Sequence, residues 1–432
     1  MTSLTWRGEL APGLTRDSHG KLSIAGCDVI DLVATYATPL MVLDCDLLAS
    51  RTATLRTAAQ EHGVRVSYSA KALFTPALAR FFDERGLGID LSSLGELAVA
   101  QRAAVAPDHL TLHGSGKGTA EMAAAIDGRV GRIVVDDLLE LAMLHELAMH
   151  ANTRVEILVR CAIREPANTH SAIATSGEDT KFGIAACERA LAWGLLRDSA
   201  FLHFAGIHAH AGSQIYAIAT FENVIDTLLD LLEETAAFGL IAEHAIAGGG
   251  FGVRMHPITD EDSLDLVTTV TTLAERFQAG CRERGLVTPH LGIEPGRSLI
   301  ADAGTTLYRV QAVKHQERHR FVIIDGGLSD NPRPALYDAY HHVVCASARH
   351  GEMLPAIVCG RSCENDEFAR VDLPSDLLPG DILAVCTTGA YTYSMASNYN
   401  RFGRPAIIAI DAGQSRLITR RETVEDMLRL DC

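Results

Sequence analysis

Between residues 46 and 300 the chain alternates short apolar runs with longer amphipathic stretches. The amphipathic stretches, for example 47–61 and 220–238, repeat apolar residues every three or four positions, which predicts helices. The short runs read as strands, and there are eight of them: 64–71, 87–93, 110–114, 132–137, 155–161, 204–212, 244–250 and 289–296. Strands that alternate with helices predict parallel βαβ units, and eight such units predict a closed (β/α)8 barrel.

Polar residues lie at or near the carboxyl ends of these runs. They are Lys71, Asp90, Ser93, His113, Asp136, Arg160, His210, Gly248–Gly250 and Glu294. In a (β/α)8 barrel this face carries the active site. A doubly wound sheet would give the same alternation, but it would gather polar residues at one switch point rather than at every strand. The pattern therefore favours the barrel.

The pattern changes after residue 300. Short β-like runs separated by Gly, Pro and Asp predict an antiparallel β domain, and 39–44 is β-like as well. We therefore expect a barrel over residues 46–300 and a β-rich domain made of residues 1–45 and 301–432. The expected fold class is α/β, a (β/α)8 barrel with a C-terminal antiparallel β domain.

Charge and composition exclude several classes of partner. The formal net charge is -16, and the chain has no long apolar segment or secretory signal. Nucleic acids and anionic membranes require basic surface, so we expect neither as a partner. The ten cysteines show no C-x-x-C pair, which favours free thiols. The expectation is a cytoplasmic protein that binds a small molecule.

Three motifs could carry chemistry, and each has an alternative interpretation. Lys71 ends a strand and could form a Schiff base if it is partly buried, although a strand-end lysine more often reaches solvent. The triplet Gly248–Gly250 could expose amides to an anion or could simply form a tight turn. His208 and His210 would share one strand face, either as metal ligands or as neutral core histidines.

These motifs occur together and in order with others, and the whole chain resembles the alanine-racemase-like (fold type III) decarboxylases that use pyridoxal 5'-phosphate. The resemblance is strongest to the branch that decarboxylates diaminopimelate. The matching motifs are Y-S-A-K at 68–71, D-L-S-S-L-G-E-L at 90–97, K-F-G-I at 181–184, H-A-H-A-G-S-Q-I at 208–215, G-G-G-F-G at 248–252, E-P-G-R at 294–297, D-G-G-L-S-D-N-P-R-P-A-L-Y at 325–337, C-E-N-D at 363–366 and G-A-Y-T-Y-S-M-A-S-N-Y-N at 389–400.

The resemblance implies roles toward the cofactor. Lys71 would bind pyridoxal phosphate as a Schiff base, His210 would stack on the pyridine ring, and Glu294 would keep the ring nitrogen protonated. The full set of cofactor-binding residues would be Lys71, Asp90, His210, Ser213, Gly248, Gly249, Gly250, Glu294, Arg297 and Tyr391. No metal is expected.

The resemblance also implies roles toward an amino-acid substrate. The catalytic residues would be Lys71, His210, Glu294 and Cys363, with Cys363 returning a proton to the substrate carbon after carbon dioxide leaves. The substrate-binding residues would be Arg297, Arg333, Tyr337, Glu364 and Tyr391. In this family the cysteine comes from the second subunit, so the resemblance implies a homodimer with shared active sites. A substrate with a distal carboxylate and ammonium is favoured, and meso-diaminopimelate, which would give L-lysine, fits.

Three alternatives stay open at this level. The 160–181 connection and Arg361 depart from the family pattern, which keeps a decarboxylase of specialised metabolism acting on a D-amino acid or a carrier-bound glutamyl group under consideration. An amino-acid racemase on the same architecture would need a tyrosine base opposite Lys71, where this chain offers Cys363. A cofactor carrier without activity would resemble the barrel alone.

Overall fold

The computed structural model describes residues 10–163, 180–255 and 263–432. They form two compact units. One consists of Thr52–Gly252 and Ser263–Ser298, and the other spans Met1–Arg51, Val253–Asp262 and Leu299–Cys432 as far as these ranges are described. Most of the 160–181 connection, residues 164–179, lies outside the described residues.

The chain begins with a small antiparallel sheet of three strands, β1 (Leu14–Arg16), β2 (Leu22–Ile24) and β3 (Cys27–Asp28). Helix α1 (Val29–Tyr36) follows directly because the Asp28 side chain accepts a hydrogen bond from the Ile30 amide and so caps the helix. Strand β4 (Leu40–Asp44) is buried along its full length, and helix α2 (Cys45–Glu61) follows it.

Eight parallel strands form a closed barrel, which confirms the predicted fold class. They are β5 (Arg65–Ser69), β6 (Gly88–Leu91), β7 (Leu110–Leu112), β8 (Arg132–Val135), β9 (Val155–Arg160), β10 (Leu202–His208), β11 (His244–Ile246) and β12 (His290–Ile293). Each strand pairs with the next along the chain, and β12 closes the barrel by pairing with β5. The carboxyl ends of all eight strands therefore meet at one face.

Helices connect the barrel strands: α3 (Pro76–Asp83), α4 (Leu94–Arg102), α5 (Thr119–Ile126), α6 (Leu138–Ala151), α7 (Arg189–Asp198), α8 (Ile218–Ala237), α9 (Leu266–Glu283) and the short α10 (Arg297–Ile300). Several begin within two residues of a strand end because a side chain caps them, as Ser93 caps α4 and Asp137 caps α6. These short loops hold polar residues directly over the strand ends. Within the described part of the chain, no helix is long and apolar enough to cross a membrane.

Inside the barrel, Val134, Leu158 and Ala205 pack together with Ile246 against them. Side chains two residues further along a strand point to the same side. Asp136 and Arg160 therefore stand above Val134 and Leu158 and face the barrel axis. The apolar layer thus forms a floor under the polar face.

A bulge in β10 places His208 on the side of the strand that faces the barrel axis, as Arg160 is in β9. The register against β9 shifts between Phe204 and Gly206, and His208 then pairs with Arg160. Only glycine is tolerated at this bulge, because Gly206 has φ 153° and a Cβ atom there would lie 2.0 Å from the His244 carbonyl oxygen. His208 consequently lies on the same side of the barrel wall as Arg160. The strand ends there, so His210 is not part of it, contrary to the expectation that both histidines share a strand face.

The second unit is built on a mainly antiparallel sheet. Its strands are β4, β13 (Gly304–His315), β14 (Arg320–Ile324), β15 (Val343–Cys345), β16 (Met353–Cys359), β17 (Glu367–Pro374), β18 (Ile382–Val385), β19 (Ala406–Asp411) and β20 (Gln414–Thr419), with helices α11 (Arg333–Tyr337) and α12 (Val424–Leu428). Strand β4 pairs antiparallel with β13 and parallel with β19. A second parallel pair joins β14 to β16. The sheet is therefore mixed rather than purely antiparallel.

A buried ion pair stabilises the loop that follows β7. Lys117, in the segment H-G-S-G-K-G, forms an ion pair of 2.8 Å with Glu140, and each side chain is only 2% exposed. The same ammonium donates to the Gly114 carbonyl at 2.5 Å. Burial raises the pKa of Glu140 to about 7, and attraction to Lys117 opposes that rise. The pair ties the loop after β7 to the first turn of α6.

Candidate active site

The carboxylate of Glu294 lies at the centre of the polar barrel face. It follows β12 directly, and its amide donates to the Gly248 carbonyl at 2.8 Å, which fixes it beside the end of β11. Its Oε2 atom lies 3.1 Å from Nε2 of the buried His208. Burial raises the pKa of Glu294, but electrostatic attraction to His208 and the hydrogen bond with His208 act against burial, and the net shift of the pKa is downward. The group is therefore a carboxylate.

His113 and Asp90 surround this carboxylate. The Nε2 atom of His113 lies 3.5 Å from Oε1 of Glu294 and 3.6 Å from Oδ1 of Asp90. Burial lowers the pKa of His113 to about 3, so the ring is neutral at physiological pH. Burial and repulsion from Glu294 raise the pKa of Asp90. The neutral His113 ring therefore supplies no balancing charge to the Glu294 carboxylate.

His210 is oriented by the backbone that follows β11. Its Nδ1 atom accepts a hydrogen bond of 3.3 Å from the Gly249 amide, so Nε2 carries the proton in the neutral ring. Burial is the main cause that lowers the pKa of His210 well below its ordinary value, and Lys71 contributes. His210 is therefore a neutral ring in a fixed tautomer.

The glycine triplet lets three strand ends approach one another closely. A Cβ atom on Gly248 would lie 2.4 Å from Nδ1 of His210, and one on Gly249 would lie 2.0 Å from the Glu294 carbonyl oxygen. A Cβ atom on Gly250 would lie 1.9 Å from the Gly212 carbonyl oxygen. Gly248 and Gly250 also have positive φ angles of 68° and 98°. The triplet is therefore required for packing at the site, beyond any role of its amides.

Lys71 occupies a single helical turn, Ala70–Ala72, directly after β5. Ala70 and Ala72 are buried, whereas the Lys71 side chain is exposed in this chain, so the partial burial expected from the sequence is not found. The turn lifts the lysine above the strand end, and this is why it escapes the core. Its charge still acts on Asp90, His113 and His210 as one of the causes of their pKa shifts.

Arg297 and Ser213 form a further polar contact of the barrel face. The buried Arg297 begins α10 and donates to the Ser213 hydroxyl at 3.2 Å. Arg160, the last residue of β9, lies 3.8 Å from the buried Asp136, and its guanidinium lies 4.5 Å from the Phe182 ring. The predicted barrel residues Lys71, Asp90, His210, Ser213, Gly248–Gly250, Glu294 and Arg297 thus lie at the carboxyl ends of the strands or in the segments that follow them.

The predicted substrate residues of the second unit form two groups. In the first, the guanidinium of the buried Arg333 lies 5.5 Å from the Tyr337 ring and 6.0 Å from the Tyr391 ring. Tyr391 has φ 59°, a left-handed conformation that a bulky residue rarely adopts. An arginine flanked by two phenol rings suits a planar carboxylate.

The second group surrounds the predicted proton donor. Cys363 and Glu364 are both exposed, and the Glu364 carboxylate accepts a hydrogen bond of 2.5 Å from the Tyr399 hydroxyl. The guanidinium of Arg361, which departs from the family pattern, lies 4.1 Å from the centroid of the Phe402 ring and forms a cation–π interaction with it. Asp366, the last residue of the C-E-N-D motif, is buried and accepts a hydrogen bond of 3.2 Å from the Leu328 amide. Its carboxylate therefore stabilises the loop that contains Leu328.

Sequence reasoning offered His208 as a possible metal ligand and placed His113 at a strand end, but it gave neither residue a role toward Glu294. His208 provides the direct hydrogen bond to Glu294, and His113 stands edge-to-face against it with ring centroids 5.3 Å apart. The H-A-H motif marked His208, but a period-two strand could not show that a bulge would turn it toward Glu294. His113 lay at a strand end, and only barrel closure reveals its distance from β12.

Comparisons with known proteins agree with this geometry. Residues 48–301 match the model of a family described as pyridoxal-dependent decarboxylase, pyridoxal binding domain. A diaminopimelate decarboxylase of Mycobacterium leprae is 39% identical over 97% of this chain and 91% of its own length. The crystal structure of diaminopimelate decarboxylase from M. jannaschii with L-lysine has a TM-score of 0.88 at 29% identity, covering 98% of both chains. The enzyme from Helicobacter pylori with L-lysine gives 0.86 at 28% identity, covering 93% of this chain and 98% of that one.

The close approach at Gly249 predicts a steric effect of Gly249→Ala. The added methyl group would meet the Glu294 carbonyl, so we expect a loss of about 1–3 kcal/mol in the free energy of unfolding, measured by urea denaturation. Gly194→Ala in α7 is the matched control, because a Cβ atom there meets nothing within 4 Å. The control is expected to stabilise the protein by up to about 1 kcal/mol. Equal effects of the two substitutions would contradict this account of the triplet.

Proposed function

The chain belongs to the family of pyridoxal-dependent decarboxylases, and from this premise we propose that it converts meso-diaminopimelate to L-lysine and carbon dioxide. The observation that carries the proposal is the buried Glu294 carboxylate held by His208 beside neutral rings. The proposed substrate is that of the relatives named diaminopimelate decarboxylase, which match this chain over nearly its full length.

The barrel residues fit pyridoxal phosphate. They offer an amine at the rim (Lys71), a flat neutral ring (His210) and a buried anion (Glu294). Bound pyridoxal phosphate supplies an electron sink for the electron pair that remains when the substrate loses carbon dioxide. Three properties of a pyridoxal site, an attachment amine, a stacking ring and a counter-charge, are thus present at one barrel face.

Glu294 keeps the ring nitrogen of the cofactor cationic. A buried carboxylate is stable only when a cation or several donors compensate it, and the neighbouring His113 is neutral. A protonated ring nitrogen would supply the missing positive charge. His208 holds Glu294 in place through the 3.1 Å contact, which makes it a positioning residue.

Lys71 attaches the cofactor, and His210 packs against its ring. Exposure of Lys71 leaves its amine accessible to an incoming carbonyl, and cofactor bound above it would itself bury the side chain. The hydrogen bond from the Gly249 amide reaches the edge of the His210 ring at Nδ1, so it orients the ring without covering either face. Asp90 lies behind His113 and shapes the electrostatics of the same face.

Ser213, Arg297, Tyr391 and the amides of Gly248 and Gly250 bind the phosphate. The Ser213 hydroxyl and the Arg297 guanidinium already lie together, and an arginine provides directional donors for phosphate oxygens. The Gly249 amide was predicted to join them. It donates to His210 instead, so we assign it to positioning that ring.

Arg333, Tyr337 and Arg297 bind the distal carboxylate of the substrate, and Glu364 binds its distal ammonium. Arg333 lies 5.5 Å from the Tyr337 ring and 6.0 Å from the Tyr391 ring, and a planar guanidinium suits two-point contact with a carboxylate. Tyr399 orients Glu364 through the 2.5 Å hydrogen bond.

Cys363 returns the proton to the substrate carbon, and it does so in the active site of a partner subunit. Its exposure, together with that of Glu364, is consistent with a surface that completes a second copy of the chain. The proposed assembly is a homodimer with two shared sites, and the proposed location is the cytoplasm, where thiols stay reduced.

A panel of amino acids tests the proposed reaction. We expect carbon dioxide release from meso-diaminopimelate and none above background from L-lysine, L-ornithine, D-ornithine or L-arginine. Lys71→Ala should remove both the visible absorbance of bound cofactor and the release, whereas Lys314→Ala, on an exposed position of β13, should change neither. Turnover of another amino acid with no release from meso-diaminopimelate would reject the substrate assignment.

Shared active sites predict complementation between inactive variants. Dimers of Lys71→Ala and dimers of Cys363→Ala should each be inactive, but subunit exchange should restore roughly a quarter of wild-type activity, because half of the dimers become hybrids with one intact site. The measurement is carbon dioxide release after mixing and exchange. If exchange occurs and activity does not return, the cysteine acts within its own subunit.

A further inference from the structure

Four side chains from four strand ends bring metal-binding atoms to one point. The Nε2 atom of His208 lies 3.1 Å from the Glu294 carboxylate, and that of His113 lies 3.5 Å from it. The ligand atoms of these three residues all lie within 4.8 Å of one another. Asp90 adds a carboxylate oxygen 3.6 Å from His113 Nε2. Two imidazoles and a carboxylate are the ligand set of many zinc centres.

The spacing suits a small tetrahedral ion. Ligands at about 2.0–2.1 Å from zinc stand about 3.4 Å apart. One ligand atom from each of His113, His208 and Glu294 lies within 4.8 Å of the other two, so the three donors would have to move closer together to bind one ion. Imidazole nitrogens favour zinc, cobalt or nickel over magnesium and calcium, which prefer oxygen ligands. Only movements within side-chain reach are needed to bring the three donors around one ion.

Unsatisfied polar atoms at the same point mark a place that needs a ligand. Within the described residues, His113 Nε2 and Asp90 Oδ2 are buried and make no hydrogen bond. Asp90 is only 5% exposed, and His208 is only 1% exposed. Buried polar atoms without partners are costly, so a ligand that engages them gains affinity. His208 and His113 also lie outside the residues assigned above to direct contact with cofactor or substrate.

We propose that the chain without its cofactor binds one divalent transition-metal ion, of the zinc type, through His113, His208 and Glu294. A metal there and pyridoxal phosphate exclude each other, because both take the Glu294 carboxylate. The competition, but not the metal binding itself, rests on the proposed function. The site would thus make the cofactor-free chain sensitive to zinc.

Cobalt is the probe, since tetrahedral Co²⁺ has visible absorbance bands that zinc lacks. Full-length protein stripped of cofactor is titrated with Co²⁺, and we expect one bound ion per chain and loss of the bands when Zn²⁺ is added. His208→Ala and His113→Ala should each weaken binding by about tenfold or more. His150→Ala, an exposed histidine at the end of α6, should bind as the wild type does. Circular dichroism verifies the fold of each variant.

The outcomes separate the two proposals. Absence of the bands, or equal binding by the wild type and both folded site variants, overturns the metal site and points to thiols or other ligands. Addition of pyridoxal phosphate should expel the cobalt, and retention of the cobalt would overturn the competition. Release of carbon dioxide from meso-diaminopimelate by the reconstituted enzyme is measured separately. If no carbon dioxide is released, the proposed substrate is rejected, and the conclusion about cobalt binding is unaffected.

Discussion

A buried negative charge organises the barrel end of this protein. Glu294 is held 3.1 Å from His208 and 3.5 Å from His113, and burial keeps the His113 ring neutral at physiological pH. A carboxylate in such surroundings requires a positive partner. Both the proposed chemistry and the proposed metal competition follow from that requirement, since a protonated ring nitrogen and a divalent ion are alternative ways to meet it.

Backbone geometry places the charge. Gly206 permits the bulge that turns His208 toward the barrel axis. Because Gly249 of the triplet after β11 has no Cβ atom, the Glu294 carbonyl can lie where a methyl group would otherwise stand. The same triplet fixes the His210 tautomer through the Gly249 amide. The glycine in β10 and the triplet after β11 thus determine the orientation of the Glu294 carboxylate and of the His210 ring, although they contribute no side chain.

The architecture could be predicted from the sequence because it depends on local patterns. Eight apolar runs with polar residues after each one specify a barrel and its functional face. The link between His208 and Glu294 could not be predicted, because it depends on a bulge and on barrel closure between residues 86 positions apart. The strand pattern left both exposure and partial burial of Lys71 open, because it cannot show that a helical turn begins directly after the strand. The parallel pairing of β4 with β19 likewise requires knowledge of distant partners.

The protonation state of the cofactor's ring nitrogen tests this account most directly. Nitrogen NMR of the full-length protein loaded with ¹⁵N-labelled pyridoxal phosphate distinguishes a protonated pyridine nitrogen from a neutral one. The account predicts a protonated nitrogen in the wild type and a neutral one in Glu294→Gln, whose amide cannot compensate a cation. A neutral nitrogen in the wild type, or a protonated one in both proteins, would contradict the role given to Glu294.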